Sequence, residues 1–197
     1  MLLVSRSATA YHHGNLGPAL EDAALELMRT QGHSTLSLRE VARMAGVSHN
    51  APYHHFGDRT ALLKRLSERS MEELLAALRG ASDSRDPVET PQEVAVRIGV
   101  AYVGYAARYP ERFRVVYDPE VCVPGSPSVA MAPLLTAVEE ILAETTASLA
   151  PDAAPASLGP LTVAVWASVH GLAELVVAGH IGADEAEPAL RALLSRN

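Results

Sequence analysis

The amino-acid sequence predicts an all-α chain of about nine helices, with a small three-helix domain followed by a larger helical one. Three observations predict it. Apolar residues recur at i, i+3 and i+4 along most of the 197 residues. No strand-like alternation of useful length interrupts them. Aromatic residues make up only 5% of the chain while Ala and Leu abound, a composition that leans towards helix.

The first helix is marked by Leu16, Leu20, Ala24, Leu27 and Met28, with Asn15 as its expected N-cap, Pro18 in its first turn and Gly32 as its stop. A short helix over 38–45 follows Ser37, which forms with Glu40 the S-x-x-E pattern of a capping box. Gly46-Val47-Ser48 breaks it, and Ser48 is expected to cap a second short helix reaching Phe56. Asp58 is expected to cap a longer one carrying Leu62, Leu63, Leu66, Met71, Leu74, Leu75 and Leu78 near one face. Residues 80–92 are polar with two prolines and read as a linker. Helical patterns resume at 93–109, 111–117, 129–149, 157–180 and 184–195, separated by proline-rich breaks at 118–128 and 150–156. The expected organisation is a helix-turn-helix domain over 11–57, a connecting helix over 58–79 and a second domain over 80–197.

The formal charge of −7 is unevenly divided. Residues 1–80 hold nine Lys/Arg against eight Asp/Glu and six of the eight histidines, so the acidity belongs to the rest. Between His33 and Arg65 five basic residues face two acidic ones, and DNA responds to this local balance rather than to net charge. The single cysteine, Cys122, excludes an intramolecular disulfide and fits a reducing cytoplasm. Met1 to Ala10 lacks an apolar stretch of signal-peptide length. Residues 161–181 are apolar but contain His170 and Glu174 and lack basic flanks, so a buried helix is expected there, with no membrane partner.

The stretch 37–56 carries the chemistry. Two short helices joined through Gly46 make a helix-turn-helix, whose second helix enters a major groove. Ser37 and Ser48 stand at helix starts, where hydroxyls and backbone N–H groups hold phosphate. His49, Asn50 and Ala51 open the second helix; Asn reads adenine, and Ala51 or Pro52 meets a thymine methyl. Tyr53, His54, Arg59 and Lys64 are expected on flanking phosphates, and Arg39 on a base or the backbone.

With these residues in view, the chain resembles the TetR family of transcriptional regulators. The resemblance runs through Tyr11-His12-His13-Gly14-Asn15-Leu16, the helix ending at Gly32, Val47-Ser48, Tyr53-His54-His55-Phe56 and the helix start after Asp58, about a third of the chain. It implies that the first three helices and the start of the fourth bind DNA. It carries contact roles onto Ser37, Arg39, Ser48, His49, Asn50, Pro52, Tyr53, His54 and Arg59. Trp166-Ala167-Ser168-Val169-His170-Gly171 resembles the Trp-x-x-x-His-Gly segment of one TetR subgroup, where it lies on the penultimate helix beside its symmetry mate. Gly17-Pro18 departs from the basic residue that many relatives carry near the first helix. The resemblance also implies a pocket among the middle helices, for which Tyr102, Tyr105, Tyr109, Phe113, Tyr117, Trp166 and His170 are the candidates; core packing is the other reading of the aromatic series, and a satisfied buried histidine at a helix contact that of His170.

Trp166, Val169, Leu172, Ala173, Val176 and Val177, with Leu190, Leu193 and Leu194 of the last helix, form apolar stripes, one of which exceeds what one copy covers. A two-fold dimer through these helices is expected, presenting two recognition helices to a palindrome. The expected function is a ligand-responsive regulator of the repressor type, released from operator DNA by a small apolar effector. An adaptor that keeps the fold without DNA binding is the competing reading. An all-α enzyme is disfavoured, because no nucleophile–base spacing, phosphate loop or metal-ligand cluster is present in the sequence. No cofactor or catalytic residue is expected, and the adjacent pairs His12-His13 and His54-His55 point about 100° apart on a helix, which disfavours a shared metal.

Overall fold

A computed structural model of the chain describes residues 16–83 and 88–195; the Tyr11 to Asn15 stretch, including the expected cap Asn15, lies outside them. Among the described residues there are nine α-helices, one 3-10 turn and no strand. Two compact units divide the chain, at 1–62 and 63–197.

The first unit holds α1 (Leu16–Gln31), α2 (Leu38–Met44), α3 (Ala51–Phe56) and the first turn of α4 (Arg59–Asp83). Its core comes from residues one helical turn apart. Leu20, Ala24 and Met28 of α1 are buried, as are Leu36, Val41, Ala42 and Leu62, all at or below 1% exposure. Gly32, at φ 79°, ends α1 with its N–H on the Met28 carbonyl, a left-handed position that a side chain would strain. The Ser37 hydroxyl accepts from Glu40 N–H at 3.3 Å, as the sequence pattern predicts. The Glu40 carboxylate, however, accepts a hydrogen bond from the Ser37 hydroxyl at 3.0 Å, so the expected reciprocal bond to backbone is replaced. The second cap also differs. Asn50, not Ser48, precedes α3; Ala51 N–H closes a turn on the Ser48 carbonyl, and Pro52 sits in the first helical turn, where its missing N–H costs nothing.

The second unit is organised on α5 (Pro91–Arg108), which packs against α6 (Pro110–Tyr117), α7 (Met131–Leu149), α8 (Pro155–Val177) and α9 (Ala186–Leu194). α4 continues through Gly80 to Asp83, so the expected linker over 80–92 is shorter than its composition indicated. Thr90 and Glu93 then start α5 with a full capping box, each side chain bonded to the other's backbone N–H. α5 and α9 approach closely because Gly99 faces Leu190: a Cβ at Gly99 would lie 2.8 Å from Leu190 Cδ1. The core gathers Met71, Leu74, Tyr102, Phe113, Val116 and Met131 with their neighbours. Glu73 of α4 pairs with Arg112 of α6, and Tyr105 donates to the Ser70 carbonyl.

α8 departs from expectation. Of its residues only Ala173 is buried, so the expected buried helix is instead a half-covered one. Val163, Trp166 and Leu175 are 60%, 45% and 43% exposed, and Leu193 of α9 is 51% exposed. The apolar stripes named for the dimer are split: Ala173 and Leu190 are buried within the chain and Val169, Leu172, Val176 and Val177 pack in part on its own core, while Trp166 and Leu193 stay at the surface. Glu174 is the only charged side chain of the helix, which leaves little polar face to set its rotation.

Candidate nucleic-acid interface and apolar cavity

The helix-turn-helix is closed by local bonds. Gly46, at φ 67°, turns the chain after α2, while Val47 N–H reaches back to the Ala42 carbonyl at 3.0 Å. Gly57, at φ 86°, ends α3 on the Tyr53 carbonyl. This geometry leaves Arg39, Ser48, His49, Asn50, Tyr53 and His54 exposed on α2, the turn and α3. Tyr53 is 44% exposed, unusually open for an aromatic side chain with an apolar ring. Arg43, which the motif reading did not single out, is exposed in the last turn of α2 and adds a cation to this surface.

Other expected contacts are placed differently. Pro52 is buried, so its ring packs inward and does not offer a thymine-methyl contact; Ala51 is half-buried. The Ser37 hydroxyl is spent on Glu40. Arg59 is committed elsewhere: its guanidinium donates to the carbonyls of Leu36, His33 and Ser34 at 2.9, 2.8 and 2.8 Å, fastening the α1–α2 connection to the start of α4. A cation spent on three carbonyls is a structural tie and not a free phosphate ligand. Lys64 is exposed but belongs to the second unit, where it borders a cavity. His55 stacks edge-on against Phe56, and its ring lies over Gly17, where a Cβ would stand 2.7 Å from His55 Nε2. The departure at Gly17 thus has a steric account.

Among the cavities of the second unit, two are lined by residues expected at a pocket. The first, about 80 Å³, is walled by Tyr102 of α5, Leu142 and Thr145 of α7, Trp166 and Val169 of α8, and Leu190 of α9; no charged side chain lines it. The second, about 280 Å³, lies under the 118–130 connection and is bordered by Lys64, Glu68, Tyr117, Cys122, Ser128 and Met131. Of the seven expected pocket residues, Tyr102 and Trp166 line the first cavity and Tyr117 lines the second. Tyr105 and Phe113 are core residues lining neither, and the Tyr109 ring is covered by the guanidinium of Arg112, 4.6 Å from its centroid. The α7 side chains of the first cavity escaped the sequence reading, since aliphatic residues on a half-buried helix look like any other core.

A polar cluster stands between aromatic rings. Tyr102 hydroxyl lies 2.6 Å from Tyr117 hydroxyl and 2.9 Å from His170 Nδ1, while His170 Nε2 is 3.8 Å from Glu174. Burial pushes both tyrosines up and His170 down from their ordinary ranges, so all three are neutral near pH 7. One proton arrangement then satisfies them: Tyr117 donates to Tyr102, Tyr102 donates to His170 Nδ1, and the His170 Nε2–H points towards Glu174. Cys122 is held by Ser67, Sγ to Oγ 2.9 Å, and burial raises its thiol.

Comparison with known proteins joins these features. Residues 20–66 match the model for bacterial regulatory proteins of the tetR family, and residues 95–196 match the tetracyclin repressor-like C-terminal domain. Over 83 residues the chain is 34% identical to the HTH-type transcriptional regulator BetI of Rhizobium meliloti (strain 1021), covering 40% of this chain and 41% of that relative. A protein of unknown function from Rhodococcus sp. RHA1 is similar over 96% of this chain and 98% of its own, at 30% identity and TM-score 0.79. FadR of Bacillus subtilis, crystallised with stearoyl-CoA, shares the fold at 14% identity and TM-score 0.68, over 91% of this chain and 98% of its own.

Proposed function

For a chain that belongs to the TetR family of bacterial transcriptional regulators, we propose a ligand-responsive repressor that binds an inverted-repeat operator as a homodimer. The observation that carries this reading is the helix-turn-helix surface, where Arg39, Arg43, Ser48, His49, Asn50, Tyr53 and His54 stand exposed within the matched segment. Asn50 and His49 are the groups for base edges; Arg39, Arg43, Tyr53 and Ser48 are the groups for phosphates.

Dimerisation is supported by the uncovered apolar side chains Val163, Trp166, Leu175 and Leu193, which the rotation of α8 and α9 leaves at the surface. α8 is long and apolar enough to cross a membrane by length and composition alone. Membership in a family of DNA-binding regulators supports a second copy of the chain, and not lipid, as the partner of its free face. The effector is read as apolar because the first cavity has no charged lining. Linkage then requires that effector and operator weaken each other's binding by the same factor. The matched relative BetI is a transcriptional regulator, which supports a regulatory role over a catalytic one.

Selection from random duplex DNA at moderate salt tests the reading. Enrichment of an inverted repeat is the expected result, with Asn50→Ala and Tyr53→Ala abolishing it while helical content is retained. Failure to enrich any sequence, at low salt as well, would overturn it in favour of an adaptor that has lost DNA binding.

A further inference from the structure

The first cavity is too small to hold an effector as it stands. About 80 Å³ is room for roughly three water-sized groups, far below the ~300–1,000 Å³ of ordinary small-molecule sites. The second cavity, about 280 Å³, is closer to that range but is bordered by polar groups and the 118–130 connection. Tyr102 belongs to the wall of the first and Tyr117 to the wall of the second, and their hydroxyls are 2.6 Å apart. What separates the cavities is therefore a pair of phenols, backed by His170.

We propose that the two cavities are halves of one binding site divided by the Tyr102–Tyr117–His170 cluster, and that its ligand is an uncharged amphipathic molecule. Its alkyl or aryl body enters the cavity between α5, α7 and α8, and its hydroxyl or carbonyl replaces the tyrosine–tyrosine bond. This inference rests on the regulator reading above for its biological meaning, but its chemistry stands on the cavities alone.

Three features fix the class. The body must be apolar, because the first cavity offers aliphatic and aromatic walls and Thr145, whose hydroxyl is spent on the Ile141 carbonyl. The head must form hydrogen bonds, because parting the two phenols leaves buried hydroxyls that need new partners. It must be uncharged, because Glu174 behind His170 is half-exposed to water, and Lys64 and Glu68 of the second cavity carry opposite signs, so neither sign of buried ion is offered an unopposed counter-charge there. Glu68, at the far side, is already taken by Ser128 at 2.6 Å and Arg65 at 3.6 Å.

Trp166, the only tryptophan in the chain, lines the first cavity with its ring 5.7 Å from that of His170, so its fluorescence reports occupancy directly. The test titrates full-length protein with 1-octanol, octanoate and octyltrimethylammonium. A saturable Trp166 change with octanol, and none with either ion at equal concentration, is expected. Tyr117→Phe is expected to weaken octanol about fivefold, the worth of one hydrogen bond. Leu142→Phe and Thr145→Met, which fill the first cavity from α7, are each expected to abolish the saturable change while circular dichroism keeps its helical signal. Equal response to all three probes, no saturation, or octanol binding untouched in both filled variants would overturn the proposal. An unchanged Tyr117→Phe titration would confine the ligand to the first cavity and overturn the joined site. The DNA selection is run on the same preparation. An enriched repeat without octanol saturation sinks only the joined site, whereas saturation without an enriched repeat sinks only the regulator.

Discussion

The guanidinium of Arg59 shows how far one side chain's role depends on what surrounds it. A cation at the start of a helix beside a DNA-reading motif looks like a phosphate ligand; here it satisfies the carbonyls of His33, Ser34 and Leu36. Charge-assisted bonds of this kind contribute substantially, so Arg59→Met is expected to lower unfolding free energy by about 2–3 kcal/mol in urea titrations. A pure phosphate ligand would leave the urea midpoint unchanged and lose only DNA affinity. His170 makes the opposite case, a titratable group that stability depends on. Burial depresses its pKa, with Glu174 opposing, so the unfolded chain takes up a proton that the folded chain resists. The stabilising effect is fully present above the unfolded value near 6.5 and is lost as pH falls through the depressed folded value. Thermal midpoints measured from pH 7 to pH 5 should fall more steeply for the natural chain than for His170→Asn.

At the scale of elements, the sequence was most legible where structure is decided by a few adjacent residues. Asp58, whose carboxylate accepts Ala61 N–H at 2.8 Å, and Ser37 were readable as caps because a cap is a short-range event. The same logic covers Thr90: Thr90→Ala removes the hydroxyl that accepts Glu93 N–H and should cost about 1 kcal/mol, seen as a lower thermal midpoint with two-state unfolding retained. The start of α3 was less legible, since Ser48, Asn50 and Pro52 all suit a helix beginning and only the turn hydrogen bond from Ala51 decides among them. Least legible was the rotation of α8. Val163, Val169 and Leu175 are equally apolar, and nothing local says that Val169 turns inward while the other two turn out. The pocket suffered likewise: the tyrosine series was visible, but which rings would border a void depended on α7, whose Leu142 and Thr145 carry no distinguishing chemistry.

For the molecule as a whole, the uncovered faces of α8 and α9 are the feature with the widest reach. Replacing Val163 and Leu175 together by Glu puts two charges where a second copy would have to dehydrate them, and Ala173 and Leu190, buried within the chain, are untouched. Sedimentation at micromolar concentration should show the natural chain as a dimer and the doubly substituted chain as a monomer with unchanged helical content. A single species of monomer mass for the natural chain would remove the palindrome from the proposal, because one recognition helix reads one half-site. A face of this kind also binds the chain's durability to its abundance. Where association contributes to folding, each tenfold dilution removes about 1.4 kcal/mol of association free energy per dimer, so a cell holding few copies holds less durable ones. In the proposed dimer, Val163, Trp166, Leu175 and Leu193 would thereby make the number of molecules per cell a determinant of how durable each one is.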